Sequence, residues 1–219
     1  MLKIYGVYRS RATRPLWLVE ELGIPFELVP VIQAYRLPEP MAENAPVNTL
    51  TRSFLDVNPM GAVPAMQDGD LVLHESLAIS LYLGRKYGCE NGLELGPKDI
   101  AEEALMVQWS LFAATSIETQ SLKIQSTKSD SDEGKGEINV AARLLKRPFD
   151  VLEKHLSENS YMVGGRFTVA DINVAEIIRY AQGHAPLFDN RPALKAWLEA
   201  CQARAGFQAM WEKRNAEPA

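Results

Sequence analysis

Between residues 2 and 31 the apolar period of this chain changes twice. Leu2-Lys-Ile-Tyr-Gly-Val7 alternates and reads as a short strand. Ala12, Leu16, Val19 and Leu22 then recur at helical spacing. Gly23 follows where a helix end favours a left-handed residue, Pro25 blocks continuation, and residues 26–31 read as a second strand. Strand, helix and strand in so short a stretch form a βαβ unit. Its strands run parallel and its crossover is right-handed.

Residues 33–50 carry Pro38, Pro40 and Pro46 and show no period, which predicts a long functional or mobile loop. Residues 62–66 are a short apolar run, Asp68-Gly69 is a hairpin turn signal, and 71–74 return as a strand. Residues 76–87 have helical spacing. Residues 1–87 are therefore expected to form one α/β domain, and 88–99, rich in Gly and charge, a linker. No strand signal follows, and 100–219 read as an all-helical domain. Its helices are expected over 100–123, 137–155 with a kink at Pro148, 168–182 and 192–204, with a last turn over 207–213 and a polar loop over 125–136.

The chain has 219 residues, is 47% hydrophobic and carries a net charge of −5, so it is neither disordered nor built for phosphate-rich nucleic acid. No apolar run is long enough to span a membrane, and the N-terminus lacks the apolar stretch of a signal peptide. Two cysteines cannot make a disulfide framework, so a reducing cytoplasmic compartment is expected. His74, His155 and His184 have no metal-ligand spacing, and no metal is expected. Phosphate-cradling, zinc-hydrolase and serine-hydrolase motifs are absent.

Three segments of the first domain can carry chemistry. In Tyr5-Gly-Val-Tyr-Arg-Ser-Arg-Ala-Thr-Arg14 a hydroxyl stands at a helix N-terminus, where free N–H groups and the dipole favour an anion. Asn58-Pro-Met-Gly-Ala-Val-Pro64 is a proline-opened strand entry. In Leu73-His-Glu-Ser-Leu-Ala-Ile79, Glu75 and Ser76 lie at a second helix start. Taken singly, each serine is most simply a helix cap.

Together and in this order, "RSRATRPLWLVEELGIPFELVPV", "FLDVNPMGAVPAMQDGD" and "LHESLAISLYL" resemble the soluble, cytosolic-type glutathione transferase superfamily, with the subfamily open among bacterial-like serine and tyrosine types. Gly165-Arg-Phe-Thr-Val-Ala-Asp171 is similar to that family's second-domain helix start. There Thr168 and Asp171 have capping-box spacing, flanked by Phe167 and Ile172 as a hydrophobic staple.

The resemblance implies a thioredoxin-like domain that binds glutathione, a helical domain that receives a small apolar electrophile, and a homodimer engaged in detoxification. It implies a cis Val63–Pro64 peptide. Val63 and Pro64 would meet the cysteinyl part of glutathione, Glu75 the glutamyl amine, and Ser76 the glutamyl carboxylate. Ser10 would donate to the sulfur, with Tyr8, Tyr5 and Thr13 as alternatives. Relatives often carry Lys before the Val-Pro pair and some carry His one place earlier. Ala62 and Gly61 stand there instead, so Arg52 or Asn48 would hold the glycine carboxylate. Tyr8, Trp109, Phe112 and Tyr180 would line the electrophile's pocket. No cysteine occurs in the first loop, unlike omega-like reductases, and no Ser-Ser-Cys run, unlike zeta-type isomerases. A non-catalytic glutathione-binding protein and a glutathione-dependent disulfide reductase remain alternative readings.

Overall fold

The computed structural model of the chain describes residues 1–90 and 92–218. They divide into two compact units: Met1–Tyr87 with the segment from Ala205 onward, and Gly88–Arg204.

In the first unit β1 (Lys3–Gly6) runs parallel to β2 (Glu27–Pro30), paired from Lys3↔Glu27 to Gly6↔Pro30. Helix α1 (Thr13–Leu22) connects them and ends at Gly23, whose φ of 62° needs no β-carbon to be accommodated. The long connection after β2 is pinned by a bridge between Ile32 and Asn48 and contains a short helix α2 (Arg52–Leu55) that the sequence pattern does not announce. A four-residue helix is too brief to show a period, and it is held by Phe54, which packs with Val31 and Ala65. β3 (Ala65–Asp68) and β4 (Leu71–His74) form the expected hairpin, giving the order β2-β1-β3-β4. Helix α3 (Ser76–Tyr87) follows and packs on α1.

The second unit is helical. Asp99 caps α4 (Ile100–Ala113) by accepting from the N–H groups of Ala101 and Glu102. The single helix expected over 100–123 is interrupted: a π-helical turn, Ala114–Glu118, separates α4 from α5 (Thr119–Ser126). A π-turn of five residues is too short for its own period to show in the sequence. Helix α6 (Asp132–Glu158) starts inside the stretch expected to be loop, capped by Ser131, and continues through Pro148. Helix α7 (Val169–Ile178) is buried on every side and carries the capping box of Thr168 and Asp171. Burial pushes the Asp171 carboxyl up to about 6, against four donors: the backbone N–H groups of Met162 and Thr168, the Thr168 hydroxyl and the Trp197 indole. Helix α8 (Pro192–Gln202) begins under the Glu153 carboxylate, which accepts from the N–H groups of Ala193 and Leu194.

The terminal helix α9 (Ala205–Ala216) is longer than the last turn expected and groups with the first unit. Trp17 of α1 meets the Phe207 ring edge-on at 5.0 Å, and Lys213 pairs with Glu20. Composition marks α9 as a helix, but only packing decides which unit it joins.

Candidate active site

The two helix starts of the α/β unit differ in how far the protein satisfies them internally. At the start of α3, Ser76 is buried and its hydroxyl accepts from the Arg14 guanidinium at 2.7 Å. Arg14 itself is 1% exposed. Glu75, just before, has φ 69°, a left-handed conformation uncommon outside glycine. That turn leaves Glu75 exposed, and its carboxylate has no hydrogen-bond or ion-pair partner among the described residues. An anionic group is thus offered beside a buried hydroxyl and a helix N-terminus, complementary to an ammonium and a carboxylate on one ligand.

At the start of α1 the hydroxyl is engaged locally. Ser10 Oγ donates to the Val7 carbonyl at 2.7 Å and accepts from the Ala12 N–H at 3.0 Å. Thr13 is fully buried and donates to the Ser10 carbonyl. Tyr5 lies in the β1 ladder opposite Ala65, and its hydroxyl donates to Gln67 at 3.2 Å. Tyr8 is buried; burial, with Glu20 and Glu217, raises the phenol above its ordinary value while Lys213 pulls it down. It stays a protonated donor at neutral pH.

Val63 sits just outside the ladder, which begins at Ala65, and the Val63–Pro64 peptide is cis. Gly61 has φ 57°, and a β-carbon there would stand 2.7 Å from the Thr49 carbonyl. The loop geometry therefore admits no side chain where some relatives carry His. Asn48 is 1% exposed, and its amide organises its own loop, donating to the carbonyls of Pro40 and Pro46 and accepting from the Leu50 N–H. Arg52 is exposed and pairs with Asp56 at 2.9 Å.

In the helical unit Trp109 is packed between Phe112, edge-on at 5.6 Å, and His155 at 4.7 Å. Tyr180 instead lines a cavity of about 680 Å³ with Ile124, Lys135, Ile138, Arg179 and His184; neither Trp109 nor Phe112 lines it. Among the described residues, that cavity holds Tyr180 without the other two aromatics.

Sequence reasoning missed two residues. Arg14 stands off the apolar stripe of α1, yet α3 and α9 cover that helix from two sides and bury it. Glu217 lies far from the first loop in sequence, yet its carboxylate accepts from the N–H groups of Tyr8 and Arg9. A charged residue amid apolar neighbours signals the first; nothing local signals the second.

Residues 8–86 match the family model of the glutathione S-transferase N-terminal domain, and 105–205 that of the C-terminal domain. Glutathione S-transferase 3 of Zea mays is 33% identical, over 94% of this chain and 91% of that protein. The crystal structure of glutathione transferase F7 from Populus trichocarpa superimposes with a TM-score of 0.82 at 26% identity, covering 98% of this chain and all of the other. A theta class glutathione S-transferase from Xanthomonas axonopodis pv. citri, solved with glutathione bound, gives 0.73 at 26% identity, with 95% of each chain covered.

Proposed function

This chain belongs to the glutathione S-transferase family and is a transferase of that kind, and from that premise we propose that it adds the glutathione thiolate to small apolar electrophiles. The observation that carries the reading is the start of α3, where an exposed, unengaged Glu75 adjoins a buried Ser76 held by Arg14. Glu75 takes the glutamyl ammonium. Ser76 and the helix N-terminus take the glutamyl carboxylate, Val63 and Pro64 border the cysteinyl backbone, and exposed Arg52 is available to the glycine carboxylate. Asn48, whose amide is occupied within its loop, shapes that wall rather than binding.

Ser10 is the sulfur's donor in this reading. A free thiol titrates near ~8.5. Lowering it by about two units requires roughly 2.7 kcal/mol. A hydrogen bond to a charged group contributes roughly 1.5–3 kcal/mol, against about 1 for the neutral bond Ser10 now makes to Val7. Exchanging the carbonyl for a thiolate is therefore favourable, and the Ala12 N–H keeps the oxygen in place meanwhile. The helix N-terminus adds about 0.3–1 kcal/mol. Tyr8, protonated and buried, is the second donor to test; the hydroxyls of Tyr5 and Thr13 already serve Gln67 and the Ser10 carbonyl.

The S–H bond breaks with its proton going to solvent, and the thiolate's electron pair forms one sulfur–carbon bond. The attacked carbon gives up a pair, either to the far atom of its multiple bond, which takes a proton from solvent, or to a leaving group that departs with it. Thiolate formation and proximity drive the step. Packed aromatics such as Trp109 and Phe112 favour an apolar electrophile. Homodimer formation is supported by the exposed Ile100 and Leu111 on α4 and Leu144 on α6, apolar side chains that a partner would cover; cytoplasmic detoxification is proposed from the family alone. Among the described residues no helix is long and apolar enough to cross a membrane, and no metal-holding cluster occurs. A crystal structure with glutathione tests the assignment. The sulfur should lie within hydrogen-bond reach of Ser10 Oγ and the glutamyl amine beside Glu75; a sulfur facing Tyr8 instead removes Ser10 from the reaction.

A further inference from the structure

We propose that Glu217 is a positioning residue for the sulfur-binding loop, acting through one peptide plane on Ser10. Its carboxylate accepts from the Tyr8 N–H at 2.7 Å through Oε1 and from the Arg9 N–H at 2.9 Å through Oε2. The Tyr8 N–H and the Val7 carbonyl belong to the same rigid peptide unit and point in opposite directions. Holding that N–H therefore aims the Val7 carbonyl, and the Val7 carbonyl is what the Ser10 hydroxyl donates to, at 2.7 Å. Glu217 thus fixes the loop from which the Ser10 hydroxyl turns to the thiolate, without touching the hydroxyl itself.

The surrounding bonds hold the same arrangement from both sides. Arg9 Nε donates to the Glu217 carbonyl and Arg36 Nη2 to the Pro218 carbonyl, each at 3.1 Å. Arg36 Nη1 also donates to Gln33 Oε1, and Gln33 Nε2 donates to the Arg9 carbonyl, closing a ring around the loop. Lys213, one helical turn before Glu217, faces the Tyr8 hydroxyl and pairs with Glu20. Ala12, at the N-cap of α1, offers no side-chain cap of its own to hold this turn. A carboxylate gripping two consecutive N–H groups makes charge-assisted bonds, roughly twice as strong as neutral ones.

The inference rests on reading Ser10 as the sulfur's donor. The test compares wild type, Glu217→Ala, Glu217→Gln and Ser10→Ala by thiolate absorbance of bound glutathione against pH. Steady-state kinetics, amide exchange of residues 8–9 and melting temperature are measured alongside. Glu217→Ala should raise the thiol pKa by about half to one unit and lower kcat three- to tenfold at neutral pH, with KM for glutathione within twofold. Exchange of the Tyr8 and Arg9 amides should quicken at least tenfold. Glu217→Gln, which keeps one acceptor oxygen, should fall between the two. If Ser10→Ala shifts the titration and Glu217→Ala, still folded, does not, the positioning role falls alone. If neither shifts it, the sulfur assignment falls and takes this role with it. Faster turnover in Glu217→Ala would mean that the tail obstructs the loop, and would equally overturn the proposal.

Discussion

The starts of α1 and α3 are chemically alike and structurally opposite. Each presents a serine at a helix N-terminus that follows a strand of the same sheet. At α3 the serine is buried, braced by Arg14, and its acidic neighbour is turned outward by a left-handed backbone. At α1 the hydroxyl is satisfied by its own turn. The first arrangement suits a standing anchor that loses little on meeting a ligand, since its geometry is already set. The second suits a group that changes partner during the reaction. A third start, that of α7, is closed: Asp171 and Thr168 consume each other's hydrogen bonds in the helical interior. Of the three starts, that of α3 leaves a charged group unspent among the described residues, the turned-out Glu75 carboxylate.

The largest effect is expected at the closed start. Asp171→Ala leaves the N–H groups of Met162 and Thr168 and the Trp197 indole buried without their acceptor, at roughly 1–3 kcal/mol each. Chemical denaturation should show a loss of at least about 3 kcal/mol, and a loss below about 1 kcal/mol would break the contrast with the starts of α1 and α3. The carboxyl also carries a pH signature. Its native value, about 6, lies above the unfolded one, so the native state binds the extra proton. Its contribution to stability is complete below about pH 4 and is lost as pH rises through about 6. The difference between wild type and Asp171→Asn across pH 4–7 should show that downward slope; parallel curves would refute it.

At the α1 start, Ser10→Ala should raise the pKa of bound glutathione by about one to two units, worth roughly 1.4–2.7 kcal/mol. Turnover at neutral pH should fall accordingly while glutathione affinity stays nearly intact. Superimposable thiolate titrations would reduce Ser10 to a turn residue. The α3 start should behave conversely. Glu75→Ala should weaken glutathione binding at least tenfold by calorimetry, about 1.4 kcal/mol, and leave the pKa of the bound thiol unmoved. Unchanged affinity would mean that the turned-out carboxylate is not an anchor.

The smallest change is expected at the edge of the site. Arg52 is exposed and already paired with Asp56, so its hold on a carboxylate is screened. Arg52→Ala should weaken glutathione about two- to fivefold, and the residual dependence should fade in high salt. A salt-independent loss, or none, would place the glycine carboxylate elsewhere.

Much of this architecture is legible along the chain because its signals are local. Residues 71–74 pair as the turn at Asp68-Gly69 requires, Gly23 ends α1, and Thr168 and Asp171 cap α7 as their spacing demands. The start of α6 has a signal too: Ser131 precedes Asp132 and Glu133, a cap with an acidic first turn, inside a stretch whose polarity suggests loop. The π-turn and α2 have no such mark, because five residues of the one and four of the other are too few for a period to show.

Candidate residues divide in the same way. Short-range rules place Ser10, Glu75 and Ser76 near helix starts, whereas the resemblance to the glutathione transferases supplies their roles and those of Val63 and Pro64. What those groups are free to do is decided by partners distant in the chain. Ser76 is braced from 62 residues away, and Tyr8 and Arg9 are held by a carboxylate 209 and 208 residues away. The Tyr5 hydroxyl is engaged by Gln67, and the Asn48 amide by the loop it organises. Propensity and spacing act over a turn or two of chain and so determine the elements and the chemical types at their ends. Whether a hydroxyl is spent, a carboxylate exposed or an arginine buried depends on which surfaces the folded chain presses together, and only the tertiary structure decides that.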